Sequence, residues 1–569
     1  MMLLDTTLFL YNLDSFNQYC ISMTQNIWRS VTPQYDQFNS QLAQYPSLPP
    51  LDLFETQPRL TSAIAQFVQL KGFTRMMLIN APDNSIYRHL VGNKIQSLIK
   101  SAPVICTESI DVKTIFGQFK AEDGHIINEV PGLLDKADGG FLLVSANLLL
   151  ANPTCWPMLK AAVLGEYVSP INCDPKSPIQ SPITKAYDIK LVILGDRNQL
   201  GDVDYMDADI HSSLCFYSEL ELDLKIDEQT ISIYLAYLRW ISETYGLPAL
   251  TENAITTLMT AGARFTEDQH YAPLCVMWHR ALLEEAALES NFKTIADEHI
   301  ELALDKRYFR ESYLPQRALD DIIDGQVIIE TQGEQVGQVN GLTVIDVAGH
   351  PLAYGEPARI SCVIHFGDGD IADVERKAEL GGNLHAKGMM IMQAFLSSSM
   401  NLDAPLPYSA SVVFEQSYSE VDGDSASLAE LCSLVSALAE HPINQQIAVT
   451  GAVDQFGRVQ AVGGLNEKIE GFYHVCKYQG FTGEQGVILP TTNLKHLALH
   501  KDVVNSIKRG EFHIWPVSTV DEAVPILMGT PFRGDDEDSI INKIAQRIEN
   551  FERHELSQGI VERIKNWFV

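Results

Sequence analysis

Basic residues are scarce in this chain: 41 lysines and arginines stand against 73 aspartates and glutamates, a formal net charge of −32. Such a surface repels nucleic-acid phosphates and anionic lipid headgroups, so neither nucleic acid nor a membrane is expected as a partner. Cysteine is sparse too. Nine thiols are scattered singly with no Cys-x-x-Cys pair; an odd number cannot close completely into disulfides, and the pattern suits a reducing cytoplasm. No His-Glu-x-x-His spacing occurs, which leaves a zinc peptidase without support. Long apolar runs are missing as well. The longest, residues 141–151, is broken by Ser145 and Asn147 and is too short to span a bilayer. The apolar start MMLLDTTLFLYNL contains Asp5, has no Lys or Arg ahead of Arg29 and offers no small-residue cleavage site, so it does not read as a signal peptide. What remains is a 569-residue cytoplasmic chain, 46% hydrophobic, long enough for several domains with their own cores.

The chemistry gathers in residues 417–468. Two aspartates, Gly423 and Ser425 crowd together just before an apolar periodic run in which Leu428, Leu431, Val435 and Leu438 share a helical face. Ser425 is therefore expected at a helix N-terminus, where unpaired N–H groups and a partial positive charge stabilise a developing oxyanion. A hydroxyl there needs a base. Lys468 follows 43 residues later, with Leu465, Ile469 and Phe472 marking the buried face of a second helix beside it. A free lysine titrates near ~10.4 and is neutral roughly once in 10³ at pH 7; burial lowers that value and makes the amine a general base. Plainer readings exist for each residue. Ser425 or Ser427 could be a helix cap, with Glu430 completing a capping box three residues after Ser427, and a lysine at an apolar edge can simply snorkel to water. A carboxylate touching Lys468 would raise its pKa and oppose catalysis, so Asp422 reads first as a turn former and second as a substrate-binding or latching group.

These residues resemble the Lon family of serine proteases, which places its serine in an Asp-Gly-x-Ser-Ala turn and its lysine at the end of a Gly-Gly-hydrophobic-x-Glu-Lys turn. Asp422-Gly423-Asp424-Ser425-Ala426 and Gly463-Gly464-Leu465-Asn466-Glu467-Lys468 match both. Thr450-Gly451 matches the family's Thr-Gly step, whose hydroxyl helps to hold the lysine. Asp424 ahead of the serine is similar to the LonB branch, and the nearest likeness is to the Lon-related proteases of gammaproteobacteria. The resemblance implies a Ser-Lys dyad of Ser425 and Lys468 supported by Thr450, protein substrates and a hexameric ring. Many archaeal LonB proteins carry membrane helices, from which this chain departs.

Taken in order, residues 1–50 are aromatic and Asn/Gln-rich and end in QYPSLPP, which favours an extended linker. Residues 51–225 alternate helices with short apolar strands such as RMMLIN, GGFLLV and KLVIL, an α/β pattern. It falls where the resemblance places an AAA+ nucleotide module, but the phosphate-binding segment reads APDNSIYR, without glycine and with Tyr87 in place of lysine, and Ser145-Ala146 replace the magnesium-binding Asp-Glu pair. ATP and magnesium are accordingly doubtful and no cofactor or metal is expected. Asp196 stands near a polar sensor position. Residues 226–320 read as a helical lid, in which Arg280 is more readily a solvated charge than an ATP sensor and His279 more readily packing than a ligand. Residues 325–530 are where the resemblance implies an α+β peptidase domain of the Lon type, with QVIIET, GEQVGQVNGLTVID, RISCVIHFG and PYSASVVFEQ expected as strands and QQIAVTGAVDQFGRVQAVGG as a hairpin. Residues 531–569 are an acidic linker and an amphipathic helix, either docked or peripheral. His365 and His385 are the alternative bases; a Ser-His enzyme needs one of them beside Ser425.

The expectation is a multidomain α/β serine endopeptidase that hydrolyses unfolded or loosely folded proteins without ATP. Its rivals are an ATP-dependent protease with a divergent nucleotide site and a non-proteolytic adaptor.

Overall fold

The computed structural model describes residues 26–550 apart from 100, 109–110, 175, 178, 180–182, 211–213, 368, 401–406, 418–419 and 535–537. The start of the chain and the tail beyond 550, on which two of the expectations fall, lie outside the described residues.

Short runs apolar on both faces make buried parallel strands. β1 (Met76–Asn80), β2 (Val104–Cys106), β3 (Phe141–Ser145), β4 (Lys190–Gly195) and β5 (Cys215–Glu219) form one sheet in the order β2-β3-β4-β1-β5, every neighbouring pair parallel. Alternate side chains feed two cores: Met77, Ile79, Leu143, Val192 and Leu194 on one face, Met76, Leu78, Leu142, Val144, Leu191 and Ile193 on the other. The strand order reverses at β1, so its carboxyl end is a switch point, where open α/β sheets bind ligands. Helix α1 (Ser85–Leu98) starts there, capped by Asn84, whose side chain accepts from the N–H groups of Ile86 and Tyr87.

Four helices, α2 (Ile231–Tyr245), α3 (Glu252–Thr266), α4 (Val276–Glu289) and α5 (Asp297–Glu311), share the first of these cores and lie where a helical lid was expected. The expected extended linker after residue 44 is instead packed. Tyr35, Phe38, Leu42 and Tyr45 are buried in the same core, Tyr45–Ser47 is a 3-10 turn, and Leu51 N–H donates to Ala236 O at 3.1 Å. Burial of these large rings outweighs the extended preference of the prolines. After α6 (Tyr313–Ile323), QVIIET is no strand. Its backbone is satisfied by side-chain amides: Ile328 N–H donates to Gln416 Oε1 at 2.9 Å, and Gln479 Nε2 donates to Ile329 O at 3.0 Å. A ladder partner is thereby replaced.

The second sheet is mixed. β6 (Gln338–Ile345), β7 (Tyr354–Phe366), β8 (Ile371–Asp373), β9 (Tyr408–Phe414), β10 (Ile447–Val449), β11 (Gly486–Pro490) and β12 (His513–Val517) run in the order β8-β9-β7-β6-β10-β11-β12. The β6, β10, β11 and β12 half is parallel. QQIAVT is thus a central strand rather than a hairpin arm; the hairpin is the shorter pair Ala452–Val453 and Val459–Gln460. Period-2 alternation again serves two faces. Ile447, Val449 and Ile488 join α7 (Asn383–Met400) and α8 (Ser427–Ala439) in one core, whereas Ala448, Val487 and Leu489 join α9 (Leu465–Gln479) in the other, together with Ile27 and Val31 from the N-terminal segment. The described part of the tail docks: residues 540–550 are helical, Ile540, Ile544 and Ile548 enter the α8 core, and Arg547 Nη1 donates to Ala437 O and Leu438 O at 2.8 and 3.0 Å at the end of α8. Among the described residues no helix is long and apolar enough to cross a membrane.

Candidate active site

Because α8 and α9 lie on opposite faces of the same sheet, their N-terminal ends can meet only at a strand end. The carboxyl end of β10 supplies that place. Thr450 follows β10 directly, its N–H donating to Ile488 O at 3.0 Å, and Gly451 N–H donates to Ser425 O at 2.8 Å. Leu428 N–H in turn donates to Gly451 O at 3.1 Å, so the strand end and the turn before α8 are stitched together. Ser425 lies two residues before the first residue of α8. Across the sheet, Gly464 takes φ +64° at the start of α9, a conformation that a side chain disfavours, and an added Cβ there meets Val344 at 2.5 Å.

The result brings three of the expected residues together. Lys468 Nζ lies 3.0 Å from Ser425 Oγ and 3.3 Å from Thr450 Oγ1, and Thr450 Oγ1 donates to Ser425 O at 3.3 Å. Lys468 is only 4% exposed. Burial pushes its ammonium down from the ordinary 10.5 to about 8, and the carboxylate of Asp424 opposes that shift. The lysine therefore does not snorkel.

The two aspartates separate. Asp424, not Asp422, is the carboxylate whose field reaches Lys468. Asp422 Oδ1 accepts from Leu384 N–H at 3.2 Å at the start of α7, and Gly382 N–H donates to Val421 O at 2.9 Å, which makes Asp422 a turn and helix-end former. Tight packing of α7 on the turn depends on Gly388, where a Cβ meets the Cβ of Asp424 at 3.1 Å.

The helix-cap reading fails. Ala426 holds the cap position of α8 and no side chain bonds there; Ser427 Oγ accepts from Val453 N–H at 2.9 Å. Glu430 faces inward, 3.7 Å from His385 Nδ1, while His385 Nε2 lies 3.2 Å from Asp373. Burial raises the Glu430 carboxyl to about 7, with His385 opposing. His385 is thus engaged by acids, and His365 is exposed on β7; neither bonds Ser425. His279 is packing: its Nε2 meets Tyr234 Oη at 2.9 Å, and burial lowers it to about 4. Arg280 pairs with Glu284 at 2.6 Å on the surface, and Asp196 caps a helix by accepting from Gln199 N–H at 2.9 Å.

Several residues escaped the sequence reading. Asn466 Oδ1 accepts from Ala498 N–H at 2.8 Å, and Asn493 exchanges bonds with the backbone of Val462 at 2.9 Å in both directions, fixing the loop that leads to Lys468. The Gly-Gly-Leu-Asn run hinted at the turn but not at its partners. At the switch point of the first sheet, Tyr87 is 1% exposed and its hydroxyl accepts from Val276 N–H at 3.1 Å, at the start of α4. Asp83 pairs with Arg88 and accepts from Ser145 Oγ at 2.5 Å and Asn147 Nδ2 at 3.2 Å.

Residues 414–529 match the family model described as the Lon protease (S16) C-terminal proteolytic domain, and residues 100–221 match the LonB-like AAA domain. A Lon protease homologue of Escherichia coli (strain K12) is 39% identical, over 96% of this chain and 100% of its own. One from Haemophilus influenzae is 38% identical over 76% of this chain and 74% of its own. An archaeal Lon protease of Methanocaldococcus jannaschii is 39% identical over 123 residues, 22% of this chain and 16% of its own.

Proposed function

This chain belongs to the Lon protease family, and we propose that it is a serine endopeptidase in which Ser425 is the nucleophile and Lys468 its general base. The neutral Lys468 amine takes the hydroxyl proton as Ser425 Oγ adds to the peptide carbonyl, then returns it to the leaving amine as the C–N bond breaks. Water, deprotonated by the same amine, cleaves the acyl ester and frees Ser425. Backbone N–H groups of Asp424 and Ser425 at the start of α8 hold the oxyanion. Thr450 is a positioning residue: its hydroxyl, anchored to Ser425 O, accepts a hydrogen bond from Nζ. The observation that carries the proposal is the 3.0 Å approach of a buried Lys468 Nζ to Ser425 Oγ.

Cleavage runs without ATP. The residues at the switch point do not fit a nucleoside triphosphate: the Asp83 carboxylate stands where phosphates need positive charge, its cation Arg88 is already engaged, and the Tyr87 ring reaches the lid in place of a lysine. Without a motor, the substrates are unfolded or loosely folded proteins. The AAA-like and lid regions serve as the frame of a hexameric cytoplasmic ring that restricts access to Ser425. Incubation of wild type and Ser425→Ala with unfolded casein, with and without ATP-magnesium, tests the proposal. Cleavage by wild type alone, equal with and without nucleotide, is expected; cleavage that persists in Ser425→Ala ends the nucleophile assignment, cleavage that appears only with ATP ends the motor-free reading, and no cleavage at all leaves the adaptor.

A further inference from the structure

The distance from Lys468 to Ser425 is set by where α9 sits, and α9 is held from two sides. On the sheet side Gly355 lies against its first turn so closely that an added Cβ collides with the carbonyl of Glu467. On the other side is the lid. Arg264, in the last turn of α3, forks onto α9: Nη1 donates to Glu470 Oε1 at 2.6 Å, and Nη2 donates to Glu470 Oε2 at 2.8 Å and to Glu467 Oε1 at 3.2 Å. Glu467 and Glu470 are three residues apart on one helical face, and Lys468 lies between them in sequence. A bidentate guanidinium–carboxylate pair fixes orientation as well as distance. Arg264 keeps 34% of its side chain exposed, so its contribution is geometric more than that of a dry ion pair. Burial would raise the Glu470 carboxyl, and the Arg264 guanidinium more than offsets this, holding it below the usual range.

A second contact acts in the same place. Gln269, just beyond α3, donates from Nε2 to Ser30 O, Leu494 O and Leu497 O at 2.8, 3.1 and 2.6 Å, and its own N–H donates to Lys495 O at 2.7 Å. The loop it grips is the one that holds Asn466, where Asn466 Nδ2 donates to His496 O at 3.2 Å and Ala498 N–H returns to Asn466 Oδ1. The end of one lid helix therefore grips α9 at residues 467 and 470 directly and at 466 through a loop.

Resting on the peptidase reading above, we propose that Arg264 is a positioning residue for Lys468, by which the lid sets the approach of the amine to Ser425. On this view the AAA-like half is part of the catalytic geometry even for a peptide small enough to need no unfolding. Truncating Arg264 lets α9 shift and admits water to Lys468. Hydration relieves the burial that holds the ammonium down, and the Lys468 pKa rises. Besides Lys468 itself, the titratable groups that face this joint are Asp424 from the serine turn, Glu267 and Tyr308 from the lid, and His474 and His500 around Glu470.

The test uses the full chain as wild type, Arg264→Met and Arg264→Lys, assayed on a short unstructured fluorogenic peptide from pH 6 to 10. In parallel, the Lys468 amine is footprinted with an amine-selective reagent and read by mass spectrometry, which needs no peptidase activity. Arg264→Met is expected to lower kcat about tenfold or more, the scale of a sub-ångström misplacement, with KM within about threefold. Its kinetic and footprinting midpoints should both lie above the wild-type value near 8. Arg264→Lys, which keeps the charge and one contact, should recover at least about a third of kcat. A folded Arg264→Met with wild-type kcat and midpoint, or a loss confined to KM, overturns the proposal. If Arg264→Met does not fold, Glu470→Gln decides on the same terms, a lowered kcat with a raised midpoint supporting it and wild-type values overturning it. A wild type that cleaves nothing ends the peptidase reading by itself; the footprint then judges the joint alone, a raised midpoint in Arg264→Met supporting it and an unmoved one overturning it.

Discussion

Replacing Lys468 with methionine should stabilise the folded chain while abolishing its proposed activity. The ammonium is held in surroundings that lower it from 10.5 to about 8, a shift equivalent to on the order of 3 kcal/mol of preference for the neutral form. Below about pH 8 both folded and unfolded chains carry the proton, and the folded state bears the whole cost of burying it. Between about 8 and 10.5 the unfolded chain still holds a proton that the folded chain has shed, so stability rises with pH. Above that window the cost is gone. Methionine fills a similar volume without charge, but it forfeits the bonds to Ser425 and Thr450, worth about 1 kcal/mol each. A net gain of roughly 1–2 kcal/mol at pH 7, shrinking to nothing or reversing by pH 10, should appear as slower amide hydrogen exchange across Leu465–Gln479. Lys468→Met that is less protected than wild type at pH 7, or a gain equal at pH 7 and pH 10, refutes the argument that burial of the ammonium is a cost the site bears.

Asp424→Asn removes the one carboxylate that opposes the depressed lysine, so the pH profile of peptide cleavage should move toward acid; a shift toward alkali means that Asp424 acts otherwise. Gly355→Ala places a methyl against Glu467 O and Lys468 N, and α9 must retreat: cleavage should fall by about 10²-fold in a chain that still folds, and unchanged cleavage means the strand yields instead. Tyr87→Phe strips the partner from Val276 N–H at about 1–3 kcal/mol, read as faster exchange at the start of α4. Calorimetric titration of wild type with ATP-magnesium should show no binding tighter than a Kd of about 100 μM, a binding free energy near −5.5 kcal/mol; tighter binding means the nucleotide is held by residues other than these.

Much of the candidate site's geometry is legible in the sequence because it is local. Leu428, Leu431, Val435 and Leu438 placed Ser425 before a helix, Leu465, Ile469 and Phe472 put Lys468 against apolar packing, and the strand between them carries Thr450. What was not legible depends on partners distant in sequence. Arg264 meets residues 203 and 206 positions away, and nothing around it in the chain distinguishes it from a solvated charge. Ser427 and Glu430 have the spacing of a capping box, yet tertiary bonds to Val453 and the acid cluster around His385 displaced it. QVIIET has strand composition, but glutamine side chains took the backbone bonds that a neighbouring strand would have made. Tyr45, set among prolines, has the composition of a linker, and a short aromatic segment reveals its burial only once the surface it covers exists.

Whether a buried, partly neutral Lys468 activates Ser425 is tested by the rate at which Ser425 is labelled by a fluorophosphonate across pH 6 to 10, without reference to substrate size, ring or nucleotide. With a midpoint near 8, about one amine in ten is neutral at pH 7. The labelling rate should climb about tenfold per pH unit at the acid end, level off above about pH 8 to 9 and fall by ~10³ in Lys468→Met at every pH. Labelling that is flat across this range, or that survives in Lys468→Met at the wild-type rate, contradicts that activation.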